Sequence, residues 1–230
     1  MDYQGRTVVI TGGAGALGSA VVEALLSAGA SCHVPYRGEA PGRLPDHRRL
    51  TLHSGVDLTD EGAVEGLYRE IPELWASVHI AGGFAFGAVT ATPKSVLMGQ
   101  LGTNLVTSWL CCRSAVTALK AAPAGGRIVN VAARPALEWR NGAGMAAYTA
   151  SKAAVAAFTV ALAEEVAKHG ILVNAVAPSI LDTEANRRAM PDADHGAWPT
   201  VGDVAATILF LASPANKVTR GAVVPVYGRV

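Results

Sequence analysis

The sequence predicts an α/β fold: a doubly wound parallel β-sheet with helices on both faces. Short apolar segments alternate with helical patterns along the whole chain. The apolar segments carry hydrophobic residues at successive positions, which is typical of strands that are buried on both faces. Neither a break in composition nor an internal repeat divides the 230 residues, so residues 1–230 are expected to form one domain.

The predicted strands are short apolar runs, rich in valine, that end at glycine, proline or polar residues. In chain order they are RTVVITG, ASCHVPYR, LTLHSG, WASVHIAGG, GRIVNVAA, ILVNAVAP and AVVPVYG. Helices are predicted where apolar residues recur every three or four positions, namely over 16–29, 61–71, 95–122, 145–170 and 201–213. The irregular stretch 179–200 follows a strand end, which predicts a lid loop over a ligand site.

Composition and charge exclude several classes of protein. Half of the residues are hydrophobic and 16% are charged, which predicts a large buried core and not a disordered chain. The net charge of +1 gives no electrostatic basis for binding nucleic acid or an anionic membrane. Two windows without charged residues, 74–93 and 95–112, are interrupted by glycine, proline or polar residues, so we expect no membrane span.

The three cysteines, Cys32, Cys111 and Cys112, are an odd number and lack the spacing of metal ligands. They predict free, buried thiols in a reducing compartment. The N-terminal segment MDYQGR leads directly into the apolar TVVI, without the pattern of a secretion signal. We therefore expect a cytoplasmic protein without a bound metal.

A glycine-rich turn, TGGAGALG, joins the first predicted strand to the first predicted helix. Glycines at such a turn let the backbone bend tightly and approach a pyrophosphate, and the helix behind them offers free N–H groups. Glycine clusters also occur in purely structural turns, but the position after the first strand favours dinucleotide binding. The candidate residues are Thr11, Gly12, Gly15, Ala16, Leu17 and Gly18.

The end of the second predicted strand, VPYRGEA, bears on the choice of cofactor. A carboxylate at this point favours NAD because it accepts hydrogen bonds from the ribose hydroxyls, whereas an arginine accommodates the 2′-phosphate of NADP. Arg37 occupies the strand end, so NADP(H) is predicted. Two alternatives stay open: Arg37 as a solvated surface charge, and NAD(H) bound through Glu39.

A tyrosine and a lysine lie four residues apart in AAYTASKAAV. On a helix this spacing places Tyr148 and Lys152 on the same face. The spacing also occurs in many unrelated sequences, where it makes an ordinary amphipathic surface pair. The rest of the chain has to decide between the two interpretations.

Taken together, the glycine turn, the alternation and YxxxK make the chain resemble the short-chain dehydrogenase/reductase family over nearly its whole length. TGGAGALG resembles the family's TGxxxGxG, with Ala16 in place of the middle glycine. The segments DLTD, HIAGG, GTNLVTS and VNAVAPSILDT resemble four further family motifs. The resemblance implies a single-domain Rossmann fold and cofactor contacts from Asp57, Leu58, Ala81, Gly82, Pro178, Ile180 and Thr183, besides Tyr148 and Lys152.

The resemblance also implies the catalytic roles. Tyr148 would give a proton during hydride transfer, and Lys152 would lower the pKa of the phenol and hold the nicotinamide ribose. Asn104 would hold a water that connects Lys152 to solvent; the alternative is a helix-kink side chain that bonds its own backbone. In the family, the C-terminal strand and the helix with YxxxK form subunit contacts, so a homotetramer or a dimer is implied.

The main departure from the family lies in IVNVAARPALE, where Ala132 and Ala133 replace two serines. The family's serine hydrogen-bonds the substrate oxygen, and removing one such donor costs about 3 kcal/mol in enzymes built to use it. One branch of the family, the quinonoid dihydropteridine reductases, also lacks this serine. Residues 181–198 resemble that branch, although its NADH preference and its lack of the helix asparagine do not match Arg37 and Asn104.

The sequence thus predicts an NADP(H)-dependent oxidoreductase for a small carbonyl or quinonoid compound. One alternative is an NADH-dependent enzyme like the dihydropteridine reductases, and another is a nucleotide-binding protein that keeps the fold without turnover. Candidate pocket residues are Asn186, Arg187, Arg188, Met190 and His195 of the lid, with Phe84 and Phe86 as an apolar wall.

Overall fold

The computed structural model describes residues 1–39, 42–122 and 124–230. Within these ranges, seven parallel strands form one sheet in the order β3-β2-β1-β4-β5-β6-β7. The strands are β1 (Thr7–Thr11), β2 (Ser31–Pro35), β3 (Leu50–His53), β4 (Leu74–His79), β5 (Gly126–Val131), β6 (Ile171–Pro178) and β7 (Val223–Val226). The predicted doubly wound α/β fold is confirmed.

Helices cover both faces of this sheet. They are α1 (Ala16–Ser27), α2 (Glu61–Arg69), α3 (Lys94–Gln100), α4 (Thr107–Lys120), α5 (Ala146–Val166), α6 (Glu184–Ala189) and α7 (Val201–Ala212). On one face, α1 and α7 pack together around Val21, Leu25 and Ile208. On the other face, α2, α4 and α5 enclose a second apolar cluster that includes Leu119 and Val166. The central strands β1, β4, β5 and β6 are thus buried between two helical layers, as their apolar composition predicts, whereas the edge strands β3 and β7 stay partly exposed.

The single helix predicted over 95–122 is divided in the structure. Between α3 and α4, the segment Leu101–Val106 is a turn of π-helix, in which each hydrogen bond spans one residue more than in an α-helix. Asn104 lies in this turn with its side chain fully buried, and it bonds groups of other elements. The periodicity did not reveal this turn because the apolar residues continue on both sides of it.

The strand order reverses between β1 and β4, which creates a crevice at the carboxyl ends of these two strands. Thr11, the last residue of β1, is the register partner of His79, the last residue of β4. The glycine turn after β1 and the loop after β4 therefore start side by side. Ligands of open α/β sheets bind at this kind of switch point.

The helical segment Ala146–His169 is long and apolar enough to cross a bilayer when length and composition alone are considered. Core helices of large α/β domains pass the same test. Here the segment packs against β6 and contributes Val155, Leu162 and Val166 to the buried core. We interpret it as a core helix of the fold.

A buried polar chain links the central strands to the helices of one face. The Nε2 atom of His79 lies 2.8 Å from the hydroxyl of Ser77, and Nδ1 donates to the side-chain oxygen of Asn130 at 2.8 Å. Asn130 in turn donates to the hydroxyl of Thr159 on α5 at 2.9 Å. Burial lowers the pKa of His79 to about 4, so its imidazole is neutral at neutral pH.

Acid is expected to destabilise the protein through His79. Its pKa in the folded state is about 4 against an ordinary value of 6.5, so stability is lost as the pH falls through this window. The full effect is about 3 kcal/mol. We expect His79→Asn to flatten the pH profile of the free energy of unfolding between pH 7 and pH 4, and His169→Asn to leave it unchanged. Denaturant titrations at both pH values measure this, and identical slopes in all three proteins would contradict the role of His79.

Candidate active site

The turn after β1 forms a cradle in which two positions admit only glycine. Gly12 has a φ of +68°, and a Cβ at this residue would stand 2.6 Å from the amide nitrogen of Ala81. A Cβ at Gly18 would overlap the carbonyl oxygen of Gly12. The missing side chains let the turn fold tightly on itself and pack against the loop after β4, as the glycines of dinucleotide-binding turns do.

The N-terminus of α1 faces this cradle without a side-chain cap. Gly15 is the N-cap residue and forms no side-chain hydrogen bond, so the N–H groups of Ala16, Leu17 and Gly18 have no partner within the helix. Free N–H groups and the positive end of the helix dipole favour a phosphate at this place. The predicted residues of the glycine turn therefore fit the pyrophosphate of a dinucleotide.

Two residues of the turn serve the scaffold. The hydroxyl of Thr11 accepts a hydrogen bond from the N–H of Ala81 at 3.2 Å and so ties β1 to the loop after β4. Gly13 was missed by sequence reasoning: a Cβ there would stand 2.7 Å from a methyl carbon of Val34. The doubled glycine in TGG was the available signal, but its cause, the contact with β2, is tertiary.

Arg37 and Asp57 meet at the carboxyl edge of β2 and β3. Nη1 of Arg37 donates to Asp57 at 3.0 Å, although the arginine side chain is 75% exposed. The other carboxylate oxygen accepts from the hydroxyl and the N–H of Thr59, and these two bonds, followed by Arg37, hold the pKa of Asp57 below its usual value. Asp57 is thus ionised and keeps Arg37 at the strand edge. Its neighbour Leu58 packs its side chain against the core.

The residues predicted to be catalytic lie next to the residues predicted to hold the cofactor. A Cβ at Gly82 would stand 2.7 Å from the side-chain oxygen of Asn104 and 3.3 Å from Nζ of Lys152. Lys152 is buried, and its Nζ donates to the carbonyl of Val131 at 2.8 Å. The ring of Tyr148 is half-buried and meets the edge of Phe84, with 5.0 Å between ring centroids.

Asn104 joins the loop after β4 to α5 through its side-chain amide. Its oxygen accepts from the N–H of Gly83 at 2.9 Å, and its nitrogen donates to the carbonyl of Gly83 at 3.0 Å. The same nitrogen donates to the hydroxyl of Ser151 at 2.9 Å. The alternative of an amide that bonds only its own backbone is therefore wrong, since these partners lie on other elements. The predicted water-holding role stays a prediction.

Burial decides the protonation states of the central pair. It raises the pKa of Tyr148 to about 12 and lowers the pKa of Lys152 to about 8. The expectation that the ammonium lowers the pKa of the phenol is wrong for this structure, because the loss of solvent around the phenol outweighs any attraction. At neutral pH Tyr148 is a neutral phenol and Lys152 is mostly an ammonium ion.

The predicted lid begins directly after β6. Pro178 is the last residue of β6, paired with Val226 of β7, and Ile180 is 41% exposed beyond it. Thr183 caps α6, since its hydroxyl accepts from the N–H of Asn186 at 3.2 Å. Among these three predicted cofactor contacts, only Ile180 presents a largely exposed side chain.

Most of the polar lid candidates bond within the lid itself. Arg187 donates to both oxygens of Asp182 at 2.6 and 2.8 Å, and Arg188 donates to Glu184 at 2.9 Å. Nε2 of His195 donates to the carbonyl of Met190 at 2.7 Å. These contacts hold the lid in shape, and a role of the lid arginines and of His195 in the pocket stays a prediction.

The position of the family's serine offers no hydrogen-bond donor. Ala132 and Ala133 are buried after β5. Of the hydroxyls beside the tyrosine, that of Ser151 donates to the carbonyl of Tyr148 at 2.7 Å, and that of Thr149 lies against Gly142. The hydroxyl of Ser151 is thus engaged by the backbone, and that of Thr149 is buried without a hydrogen-bond partner among the described residues.

Comparisons with known proteins agree with this geometry. A family model described as short chain dehydrogenase matches residues 6–194, which include the glycine turn, Asn104, Tyr148 and Lys152. The chain belongs to the short-chain dehydrogenase family. As a family member it is an NAD(P)-dependent oxidoreductase with a Rossmann-type fold.

Relatives within the family match over nearly their whole lengths. The 2,3-dihydroxy-2,3-dihydro-p-cumate dehydrogenase of Pseudomonas putida is 32% identical, over 99% of this chain and 95% of its own. The galactitol 2-dehydrogenase of Rhizobium johnstonii is also 32% identical, over 98% of this chain and 97% of its own. Among solved structures, ElxO with NADP bound is 25% identical, has a TM-score of 0.88 and is covered over 97% of both chains.

Removing the charge of Lys152 is expected to stabilise the protein. Its pKa of about 8 means that burial of the ammonium costs roughly 3 kcal/mol at neutral pH. We expect Lys152→Met to raise the free energy of unfolding at pH 7 by about 2 kcal/mol.

The pH profile gives a second readout of the same group. The wild type gains stability as the pH rises from about 8 to 10.5, because the unfolded chain then binds a proton that the folded chain has lost. Lys152→Met is expected to lack this gain, whereas the exposed-site control Lys120→Met is expected to keep it. A less stable Lys152→Met protein in denaturant titration would show that the ammonium is compensated in the fold.

Proposed function

We propose that the chain is an NADP(H)-dependent reductase of a carbonyl or quinonoid compound, with Tyr148 as the proton donor. The close approach of Gly82 to the side chains of Asn104 and Lys152 carries the proposal, because Gly82 belongs to the loop that packs against the glycine turn. When bound, NADPH supplies the hydride, while the chain supplies position and a proton. No metal-ligand cluster occurs among the described residues, so the proposal does not include a metal.

Arg37 supports the choice of NADP(H) over NAD(H). A guanidinium has five N–H donors, and the bond to Asp57 uses one of them. The remaining donors are exposed at the strand end where a 2′-phosphate is expected. The solved structure of ElxO, a relative in fold, has NADP bound according to its description. The carboxylate of Asp57 pairs with Arg37 and orients its guanidinium at the strand end.

The protonation states support reduction as the direction. Tyr148 holds its proton at neutral pH because burial raises its pKa to about 12, and a neutral phenol is the form that gives a proton. Lys152 has three N–H groups and uses one on the carbonyl of Val131. The other two would hold the nicotinamide ribose and pass a proton onward, with Asn104 ordering a water as the family resemblance implies.

The buried Ala133 favours two alternatives to a standard carbonyl reductase. A quinonoid acceptor needs a serine donor less, because its charge spreads over a conjugated ring; this is the dihydropteridine-reductase-like alternative, with NADH in place of NADPH. A protein that binds the dinucleotide without turnover needs no donor at all. Cofactor preference and turnover separate these alternatives from the main proposal.

We also propose that the protein is a homo-oligomer, a dimer or a tetramer. The surface of α4 and α5 exposes Trp109, Val160 and the small residues Ala157 and Ala161. The ring of Trp109 contacts the ring of Phe158 on α5 at a tilt, so the two helices present one apolar surface. Light scattering measures the assembly. The three free, buried thiols fit a reducing compartment, so a cytoplasmic location belongs to the proposal, and cell fractionation tests it.

The experiment that tests the proposed function is Tyr148→Phe, which removes the proton and little else. With NADPH and a panel of aryl ketones, alkyl ketones, benzoquinones and quinonoid dihydropterin, we expect kcat to fall about 100- to 10,000-fold. The dissociation constant of NADPH, measured by its fluorescence, should stay within about twofold. Wild-type reduction should also decline above about pH 8 as Lys152 loses its proton.

Three results would count against this account. Unchanged kcat in Tyr148→Phe would remove the tyrosine from the chemistry. NADPH binding by the wild type without turnover of any panel member would favour the non-catalytic alternative. If neither NADPH nor NADH binds, the proposed function is rejected altogether.

Cofactor preference is tested by Arg37→Ala. A charge-assisted bond to phosphate stabilises by about 1.5–3 kcal/mol, so the affinity for NADPH should fall about 10- to 100-fold while that for NADH is unchanged. Arg48→Ala removes another exposed arginine of the neighbouring loop and should change neither. A tenfold preference of the wild type for NADH, or an equal loss for both cofactors in Arg37→Ala, would contradict the assignment of Arg37.

A further inference from the structure

The loop of residues 81–88, which follows β4, is held by hydrogen bonds near both of its ends. Near its start, both backbone groups of Gly83 bond the side chain of Asn104, at 2.9 and 3.0 Å. Near its end, the N–H of Gly87 donates to the carbonyl of Gly144 at 2.7 Å. The loop therefore runs from the cofactor edge to the segment that leads into α5, and its course is set by hydrogen bonds.

This fastened loop holds two phenyl rings at the surface. Phe84 is 61% exposed and Phe86 is 72% exposed. Phe84 meets Tyr148 edge to face, with an interplanar angle of 77° and 5.0 Å between centroids. Phe86 rests on Gly144, where a Cβ would stand only 2.7 Å from its ring. Both rings are thus placed by contacts, yet neither is covered.

Two exposed aromatic side chains next to a proton donor have a direct use in binding. Leaving two phenyl rings in water is unfavourable, because their apolar surface stays hydrated. A further apolar space of about 210 Å³ is lined by Gly87 of the loop and by Ala146 and Ala147 at the start of α5. Apolar space therefore lies next to the end of the loop that carries the two rings.

Because alanines follow β5, the site lacks one side-chain hydrogen bond to a substrate. Without a hydroxyl at Ala133, the substrate oxygen has one hydrogen-bond donor fewer, so orientation has to come from another contact. Aromatic rings supply orientation, because a ring packed against phenyl groups prefers a small set of edge-to-face and offset-stacked geometries.

We infer that Phe84 and Phe86 form the substrate-orienting wall of the site, and that the substrate presents a planar conjugated ring to it beside Tyr148. The inference rests on the proposed function, since it takes Tyr148 as the proton donor. It narrows the substrate class from carbonyl and quinonoid compounds in general to those in which the acceptor is conjugated with a flat ring.

Two ketones of the same carbon number separate ring shape from size. Acetophenone carries a planar ring and cyclohexyl methyl ketone a puckered one. Their dissociation constants are measured by ligand-observed NMR on protein saturated with NADP⁺, which cannot reduce either ketone. For the wild type we expect acetophenone to bind about fivefold more tightly.

Three variants show whether the wall causes this preference. Phe84→Leu and Phe86→Leu keep apolar bulk and remove the ring, and each should bring the ratio of the two constants to within about twofold. Phe86→Leu leaves the contact with Tyr148 intact and therefore controls for a displaced tyrosine. Phe210→Leu, at an exposed phenylalanine of α7, should keep the fivefold ratio.

Equal binding of the two ketones by the wild type would overturn the inference, and so would a preference that survives in both loop variants. A changed oligomeric state of the loop variants in light scattering would also overturn it, because it would assign the rings to a subunit contact. These outcomes differ from a failure of the proposed function, which shows itself as absent dinucleotide binding or as unchanged turnover in Tyr148→Phe.

Discussion

The structure of the candidate active site depends on the hydrogen bonds of the buried side-chain amide of Asn104. It bonds Gly83 through both the oxygen and the nitrogen, and Ser151 through the nitrogen, so one side chain joins the loop after β4 to α5. These bonds place Gly82 against Lys152 and carry the loop across to Tyr148. The amide reaches its partners because it lies in a π-helical turn, a local distortion that often marks functional sites.

Burial, more than ion pairing, determines the protonation states of Tyr148 and Lys152. Tyr148 and Lys152 are both shifted towards their neutral forms, because each loses water without gaining an opposite charge. Across the described part of the chain, no carboxylate forms a salt bridge with Lys152. The fold therefore keeps a costly buried ammonium and a protonated phenol on the same helix, α5. Under the proposed function this state serves proton transfer, and the buried ammonium lowers stability, as groups kept for function often do.

Local patterns predicted what depends on local spacing. The strand–helix alternation predicted the sheet, and TGGAGALG predicted the cradle, because tight turns and helix starts are determined by neighbouring residues. Features that depend on contacts between residues were not visible in the pattern used for prediction. The helix over 95–122 is interrupted, the lid arginines bond lid carboxylates, and Thr11 binds Ala81 as a scaffold group. The partners of Asn104 and Thr11 lie on other segments, so sequence spacing does not report them. The partners of the lid arginines are four and five residues away within the lid.

The sequence by itself determined the fold class, the glycine cradle, the shared face of Tyr148 and Lys152, and the absence of a serine at Ala133. These are properties of residue type and of spacing within one element. Only the tertiary structure decided that Asn104 fastens the loop after β4, that Asp57 orients Arg37, and that burial keeps Tyr148 protonated. The physical reason is that hydrogen-bond partners and the loss of solvent come from chain segments far apart in sequence, which the packing of the sheet brings together.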